Sequence, residues 1–181
     1  MRRSDPIENR TGTSVRSLTV MFTVLTLLCV YIACSYSYLT ILFYFLAAIF
    51  PMGIMVEKKP GLAIVSFAVV LVAGLLLVAQ KPMLLPYCLF FGHYAIGKYY
   101  IDQSNMKHGK IIAKLVYFNA AFVLCYVISP DVLLSVFPGN LPKIAFVIIM
   151  EFVFLAYDFL YTQLTVWYTL HLRNNLKRST Y

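Results

Sequence analysis

Residues 143–173 read KIAFVIIMEFVFLAYDFLYTQLTVWYTLHLR, an apolar run that places two acids, Glu151 and Asp158, in a segment otherwise suited to lipid. The acids are seven residues apart, close to two turns of an α-helix, so both side chains fall on one face, and Thr162 and Thr165 continue the stripe. An ionisable residue inside a membrane helix costs about 2.5 to 3.5 kcal/mol and usually faces a bundle interior, a cavity or a ligand. The run therefore predicts a membrane helix with a polar inner face.

The apolar pattern extends over nearly the whole chain. Of the 181 residues 61% are hydrophobic and only 12% are charged, about half the charge of a typical soluble domain. Six apolar runs approach the ~20 residues that span a bilayer, at 17–36, 38–56, 61–80, 84–101, 111–128 and 144–172. We expect an all-α polytopic membrane protein with six transmembrane helices over residues 17–173, a cytoplasmic tail over 1–16 and a basic cytoplasmic tail over 174–181. Any activity must then come from helix faces and loop ends.

The basic residues are distributed unevenly between the two predicted sides of the membrane. The formal net charge is +8, and of fifteen Lys and Arg only Lys81 and Lys143 fall on one side. Thirteen basic residues against two predict that both termini are cytoplasmic, and this distribution also attracts anionic lipid headgroups. Because no base-reading element accompanies the charge, we do not expect nucleic-acid binding. The expected location is the bacterial plasma membrane.

The first predicted helix carries small side chains at regular spacing. Thr19 and Thr23, and again Cys29 and Ala33, give two small-xxx-small pairs, which let another helix approach closely. The approaching helix could belong to the same bundle or to a partner subunit.

The four cysteines lie within apolar runs and lack the paired short spacings of a zinc site; they are Cys29, Cys34, Cys88 and Cys125.

The fourth apolar run contains a histidine near the predicted middle of the membrane. His93 lies about 13 Å from the outer end of this run at 1.5 Å per residue, and Gly92 and Gly97 beside it permit close approach of another helix or a ligand. A buried histidine needs a partner, either a ligand or a polar group of another helix such as Glu151 or Asp158. Nearer the cytoplasm, Lys98 and Asp102 are spaced to pair, with the lysine reaching towards the interface.

Two further features concern the outer half of the bundle. Asn119 lies at mid-depth of the fifth run and also needs a polar partner. The outer loop 129–143, SPDVLLSVFPGNLPK, mixes prolines with apolar residues around Phe137. Such a loop could fold back as a lid over a cavity mouth, or lie as an ordinary interfacial loop.

The common catalytic signatures are missing from the sequence. It contains no phosphate-binding loop, HExxH motif, nucleophile-elbow serine or clustered Cys and His ligands. As a general acid–base pair, Glu151 and Asp158 would lie about 10.5 Å apart along a helix axis, too far to act jointly on one small group. We therefore expect no enzyme activity, metal or cofactor.

Three stretches carry a family resemblance: FYFLAAIFPMGIMVEKKPG at 43–61, FFGHYAIGKYYID at 90–102 and KLVYFNAAFVLCYV at 114–127. Together with size and span number, they resemble six-helix membrane proteins of Firmicutes that look like the substrate-binding S components of energy-coupling factor (ECF) vitamin transporters. Such proteins bind a vitamin-like nutrient near the outer face, mainly through helices four to six. They depend on a separate ATPase pair and a transmembrane coupling subunit.

The resemblance implies a binding pocket and a docking face on this chain. The pocket would be lined by Tyr87, His93, Asn119, Tyr126, Glu151 and Asp158 and covered by the loop around Phe137. The coupling subunit would meet the small residues of helix one, although many S components have alanines there. Related folds include the MreD family of cell-shape proteins, which bind other membrane proteins. The alternative functions are therefore a membrane scaffold, in which the acids pair with Lys or His, and a small proton-coupled carrier using Asp158 as relay.

Overall fold

The computed structural model describes residues 6–104, 109–135 and 143–172, and side chains from Val15 onward with a few further gaps. Within these ranges every regular element is helical and no strand occurs. The α-helices are α1 (Pro6–Ser35), α2 (Thr40–Val56), α3 (Pro60–Leu77), α4 (Tyr94–Gln103), α5 (Lys110–Ile128), α6 (Pro130–Ser135) and α7 (Lys143–Trp167). Short 3-10 turns occupy Ser37–Leu39 and Lys81–Leu84, and π-turns occupy Tyr87–Phe91 and Tyr168–Leu172.

Four stretches of helix are long and apolar enough to cross a membrane: Val15–Ser35, Pro60–Leu77, Lys110–Ile128 and Val147–His171. Most of their large apolar side chains point outwards, as in Val69, Leu76 and Val127, which suits contact with lipid. The predicted class of helical membrane protein is thereby confirmed. The α2 helix has 17 residues, about 25 Å at 1.5 Å per residue, slightly less than the ~30 Å hydrocarbon core.

The segment that precedes the first span is helical in part. The sequence predicts a polar tail up to residue 16, but α1 begins at Pro6. Proline is compatible with the first turn of a helix, because that turn needs no hydrogen bond from its N–H. Adding residues to an existing helix is also much easier than nucleating a new one. The helix therefore begins within the segment 1–16 that the sequence predicts as a cytoplasmic tail.

The fourth apolar run is not one continuous helix. Between its 3-10 turn and α4, the amide of Gly92 donates to the Tyr87 carbonyl at 2.8 Å, five residues back, and His93 follows at the N-terminus of α4. Pro86 lies just before this π-turn and has no N–H to donate. A Cβ on Gly92 would lie 2.5 Å from a ring carbon of Phe67. The expectation of a single helix over 84–101 is thus wrong, because this point requires a glycine and a widened turn.

The small residues of α1 pack within the chain. The hydroxyls of Thr23 and Ser66 of α3 are 2.8 Å apart, and the Ala33 carbonyl accepts a hydrogen bond from Thr40 at 2.9 Å. Cys29 and Ala33 belong to a buried cluster with residues of α2, and Thr19 is buried as well. This face of α1 therefore packs against α2 and α3 within the chain.

The turn between α2 and α3 contains a left-handed residue. Lys58 has φ of 56°, and its amide donates to the Met55 carbonyl at 2.9 Å. A left-handed residue after the last helical turn is a common way to end a helix, and glycine is its usual occupant. Lys58 and Lys59 are both exposed in this turn. We call the end of the bundle that contains the α2–α3 turn the basic end.

Candidate functional site

Asp158 of α7 is held by two lysines from two other helices. Lys98 of α4 donates to Oδ1 of Asp158, and Lys114 of α5 lies 3.3 Å from Oδ2. Tyr94 of α4 also donates to Oδ1, at 2.5 Å. Both lysine side chains are buried, with exposed fractions of 5% and 9%. Asp158 therefore faces the bundle interior as predicted, but its charge is already compensated there.

A second acid completes the cluster. Asp102 of α4 lies 2.8 Å from Lys114 and 3.9 Å from Lys98. The predicted pairing of Lys98 with Asp102 is confirmed, whereas the expected reach of Lys98 towards the interface is wrong. Its long stem instead carries the ammonium inward, where Asp158 and the Thr162 hydroxyl, at 2.9 Å, both contact it. We call Lys98, Asp102, Lys114 and Asp158 the charge cluster.

The charge cluster has two positive and two negative members and lies near the basic end. Lys114 is the fifth residue of α5, about 6 Å from its start at 1.5 Å per residue. On α7, the Thr165 hydroxyl contacts the Met52 sulfur of α2 at 2.8 Å, so the C-terminal halves of α2 and α7 lie together. Buried charges are tolerated when they are mutually paired and hydrogen-bonded. The charge cluster therefore joins α4, α5 and α7 through ion pairs inside the bundle.

Sequence reasoning missed the role of Lys114, although a signal was present. Lys114 lies inside the predicted fifth span, four residues after Lys110, so its ammonium belongs to a helix face and not to a loop. A lysine inside an apolar span calls for an acid at the same depth. The sequence contains two such lysines, on α4 and α5, and one such acid on α7. Their presence predicts ion pairs between these helices.

Glu151 has a different partner. Asn119 of α5 donates to Oε1 of Glu151 at 2.5 Å and to the Leu115 carbonyl at 3.0 Å. Asn119 is the tenth of 19 residues in α5, so this pair lies about 13 Å from either end of that helix. Each of these two mid-depth polar groups therefore satisfies the other.

The space between the two acids on α7 is filled by aromatic rings. Phe154 is buried between them and stacks on Phe118 of α5, with centroids 4.5 Å apart and planes 8° apart. Tyr157 stacks on Phe45 of α2, also at 4.5 Å. Offset aromatic stacks of this kind pack densely and exclude water. The polar stripe predicted from sequence is therefore interrupted, and Glu151 and Asp158 do not share a pocket.

The other predicted ligand residues are dispersed. His93 contacts the Tyr117 hydroxyl through Nδ1, so the suggestion of Glu151 or Asp158 as its partner is wrong. Tyr87 is fully buried in the cluster beside α1 and α2, while Tyr126 is 45% exposed on α5. Phe137, the predicted lid residue, lies outside the described residues. The structure thus does not gather the predicted residues into one site.

One apolar cavity of about 70 Å³ has no member of the charge cluster in its wall. It is lined by residues of α2, the π-turn before α4, α5, α6 and α7, among them Tyr44, Phe90, Val132, Met150 and Phe154. The six residues predicted to bind a ligand are all absent from its wall. Typical ligand pockets measure 300–1,000 Å³, and a cavity of about 150 Å³ holds benzene. This space therefore fits only a small apolar group.

The described residues contain no grouping of His, Cys, Asp and Glu suited to holding a metal ion. Comparisons with family models, with curated proteins and with solved structures find no match to this chain. The resemblance to S components accordingly stays a prediction. What the chain does must be argued from its own geometry.

Proposed function

We propose that this chain is a non-catalytic membrane scaffold whose intramembrane charges hold its helices together while other membrane proteins bind to the bundle. The observation that carries the proposal is the engagement of Asp158 by Lys98 and Lys114. A ligand-binding acid needs a free face towards a cavity, whereas an acid of a scaffold pairs inside the bundle. Asp158 pairs inside the bundle, as expected of a scaffold. The same pairing disfavours Asp158 as the relay of a proton-coupled carrier.

The proposed topology has six crossings with both termini in the cytoplasm of a bacterial cell. Together the turns and α4 extend over residues 81–103, enough chain for a fourth crossing, and α2 supplies the second. The exposed Lys58 and Lys59 lie on the side expected for the cytoplasm. Fusions of a cytoplasmic fluorescent reporter to either terminus should both be fluorescent. Fluorescence from only one of the two fusions would refute the six-crossing topology.

A second candidate is the substrate-binding subunit suggested by the S-component resemblance. The apolar cavity supports it, because Thr40, at the end of α2 opposite the basic end, lines its wall, and the resemblance implies a pocket at that end. Its wall of Phe90, Phe118 and Phe154 would contact an apolar group. A vitamin-sized ligand would require these helices to move apart, since typical ligand pockets are several times larger.

Affinity purification of the full chain from bacterial membranes separates the two candidates. Reproducible recovery of cell-shape or division proteins, without a bound small molecule in native mass spectrometry, supports the scaffold. Recovery of an ATPase pair with its coupling subunit, together with a bound nutrient, would establish the second candidate and refute the first. Asp158→Asn should reduce partner recovery through loss of folded protein.

A further inference from the structure

Two side-chain oxygens at mid-depth between α5 and α7 have no hydrogen-bond donor. The amide nitrogen of Asn119 donates to Oε1 of Glu151 and to the Leu115 carbonyl. In the part of the chain that the structure describes, no group donates to Oδ1 of Asn119 or to Oε2 of Glu151. Both side chains are half-buried. Because a polar group in hydrocarbon is unfavourable until it finds a partner, this pair calls for a further donor.

On α5, exposed apolar side chains flank Asn119. Val116 and Val123 lie one turn to either side of it and are exposed to 63% and 56%. Ala120 is exposed between them, whereas Phe118 is buried in the bundle. Since alanine has a short side chain, another helix can approach α5 closely at this level.

On α7, exposed apolar side chains flank Glu151 in the same way. Ile148 and Leu155 lie one turn to either side of it and are exposed to 51% and 42%. Phe154 is buried and stacks on Phe118, which closes the inner side of the pair. We call Asn119, Glu151 and the five exposed apolar side chains around them the α5–α7 face.

The charge cluster shows which kind of donor suits an acid of α7. Lys98 and Lys114 reach Asp158 from two other helices of the chain, but none of the ion pairs among the described residues includes Glu151. A second copy of the chain does not supply the missing cation. Lys98 and Lys114 are already engaged, and the other Lys and Arg side chains that the structure describes lie at the ends of the spans or in the turns.

We propose that the α5–α7 face is the docking surface for a transmembrane helix of another protein, and that this helix carries a lysine or arginine at mid-depth. Its ammonium or guanidinium donates to Glu151 and Asn119, while its apolar side chains pack over Ala120. A cation and an acid that meet inside the membrane offset each other's cost of burial. This inference rests on the proposed scaffold function and names the chemistry of the partner that the scaffold holds.

The test uses the full chain, with a fluorescent reporter fused to its C-terminus, in liposomes. The probes are leucine–alanine peptides of about twenty residues that carry an acceptor dye and have lysine, leucine or glutamate at the central position. Energy transfer measures association. We expect the lysine peptide to bind about tenfold more tightly than the leucine peptide, within the range of hydrogen bonds between model membrane helices. The glutamate peptide should bind no better than the leucine peptide.

Two pairs of variants assign the binding to this face. Glu151→Gln should abolish the preference for the lysine peptide, while Asp131→Asn, which neutralises an exposed acid of α6, should retain it. Ala120→Phe should block the approach of the peptide, while Val69→Phe, on the exposed side of α3, should not. Equal binding of the lysine and leucine peptides would overturn the proposal. An unchanged preference in Ala120→Phe, or in a Glu151→Gln chain whose circular dichroism matches wild type, would overturn it as well.

Co-purification from bacterial membranes separates this proposal from the scaffold function. Loss of partner proteins from a folded Glu151→Gln chain supports both. Recovery of the same partners by the wild-type and Glu151→Gln chains leaves the scaffold in place and overturns the docking face. If the wild-type chain recovers no partner but prefers the lysine peptide, the scaffold function fails and the docking face stands. Energy transfer between two copies of the chain that Glu151→Gln removes would overturn the choice of another protein as the partner.

Discussion

The charge cluster predicts that the losses of unfolding free energy in Asp158→Asn and Lys98→Met do not add in the double variant. Asp158→Asn leaves two buried lysines facing Asp102 alone, and Lys98→Met leaves two acids facing Lys114 alone. The double variant leaves Lys114 and Asp102, 2.8 Å apart, as a balanced pair. The double variant should therefore be more stable than Asp158→Asn.

The magnitudes follow from burial. Removing one partner of a buried ion pair costs about 3–5 kcal/mol, but Asp158 is 19% exposed and Asp102 still compensates part of the charge. We therefore expect Asp158→Asn to lower the free energy of unfolding by about 2–3 kcal/mol. Lys98→Met should lower it by about 1–2 kcal/mol, because Lys114 and Tyr94 still contact the carboxylate. The double variant should lose about 1 kcal/mol, a coupling of at least about 2 kcal/mol.

The assay is reversible unfolding in mixed detergent micelles with increasing dodecyl sulfate, followed by circular dichroism. Glu151→Gln is the matched control, because it neutralises the other acid of α7 and should cost no more than about 1 kcal/mol, the value of one neutral hydrogen bond. The reasoning is refuted if Asp158→Asn is no less stable than Glu151→Gln. It is also refuted if the loss in the double variant equals the sum of the single losses.

Three further pairs of substitutions test other contacts, each by the same unfolding assay. Tyr94→Phe removes a hydrogen bond to a carboxylate and should cost about 1.5–3 kcal/mol. Tyr157→Phe removes a buried hydroxyl that has no hydrogen-bond partner in the described structure, so it should not lower stability; equal losses would contradict the assignment. Gly92→Ala places a Cβ against Phe67 and should cost about 1–3 kcal/mol, while Gly61→Ala, which meets open space, should be neutral or gain up to about 1 kcal/mol. Lys58→Gly relieves a left-handed residue and should be about 1 kcal/mol more stable than Lys58→Ala, and an Ala variant as stable as the Gly variant would argue against the left-handed turn.

Much of the fold could be predicted from the local pattern of apolar residues. Long apolar runs predict membrane helices because hydrocarbon offers no hydrogen-bond partner to an open backbone. The seven-residue spacing of Glu151 and Asp158 placed both acids towards the interior, where their partners lie. Periodicity did not reveal the break at Gly92 and His93, and the contact that excludes a Cβ at Gly92 comes from Phe67, a side chain of another helix.

The candidate site was less predictable, because its character depends on contacts between residues far apart in sequence. Asp158 and Lys98 are 60 residues apart, and nothing local indicates whether a lysine stem extends to the interface or folds inward. Hydrophobic patterning therefore determined that this chain enters a membrane and which face of its last helix is polar. The tertiary structure alone decided that the deeper Glu151 meets a neutral amide while Asp158 meets two ammoniums, because the helix packing selects which polar groups lie at the same depth.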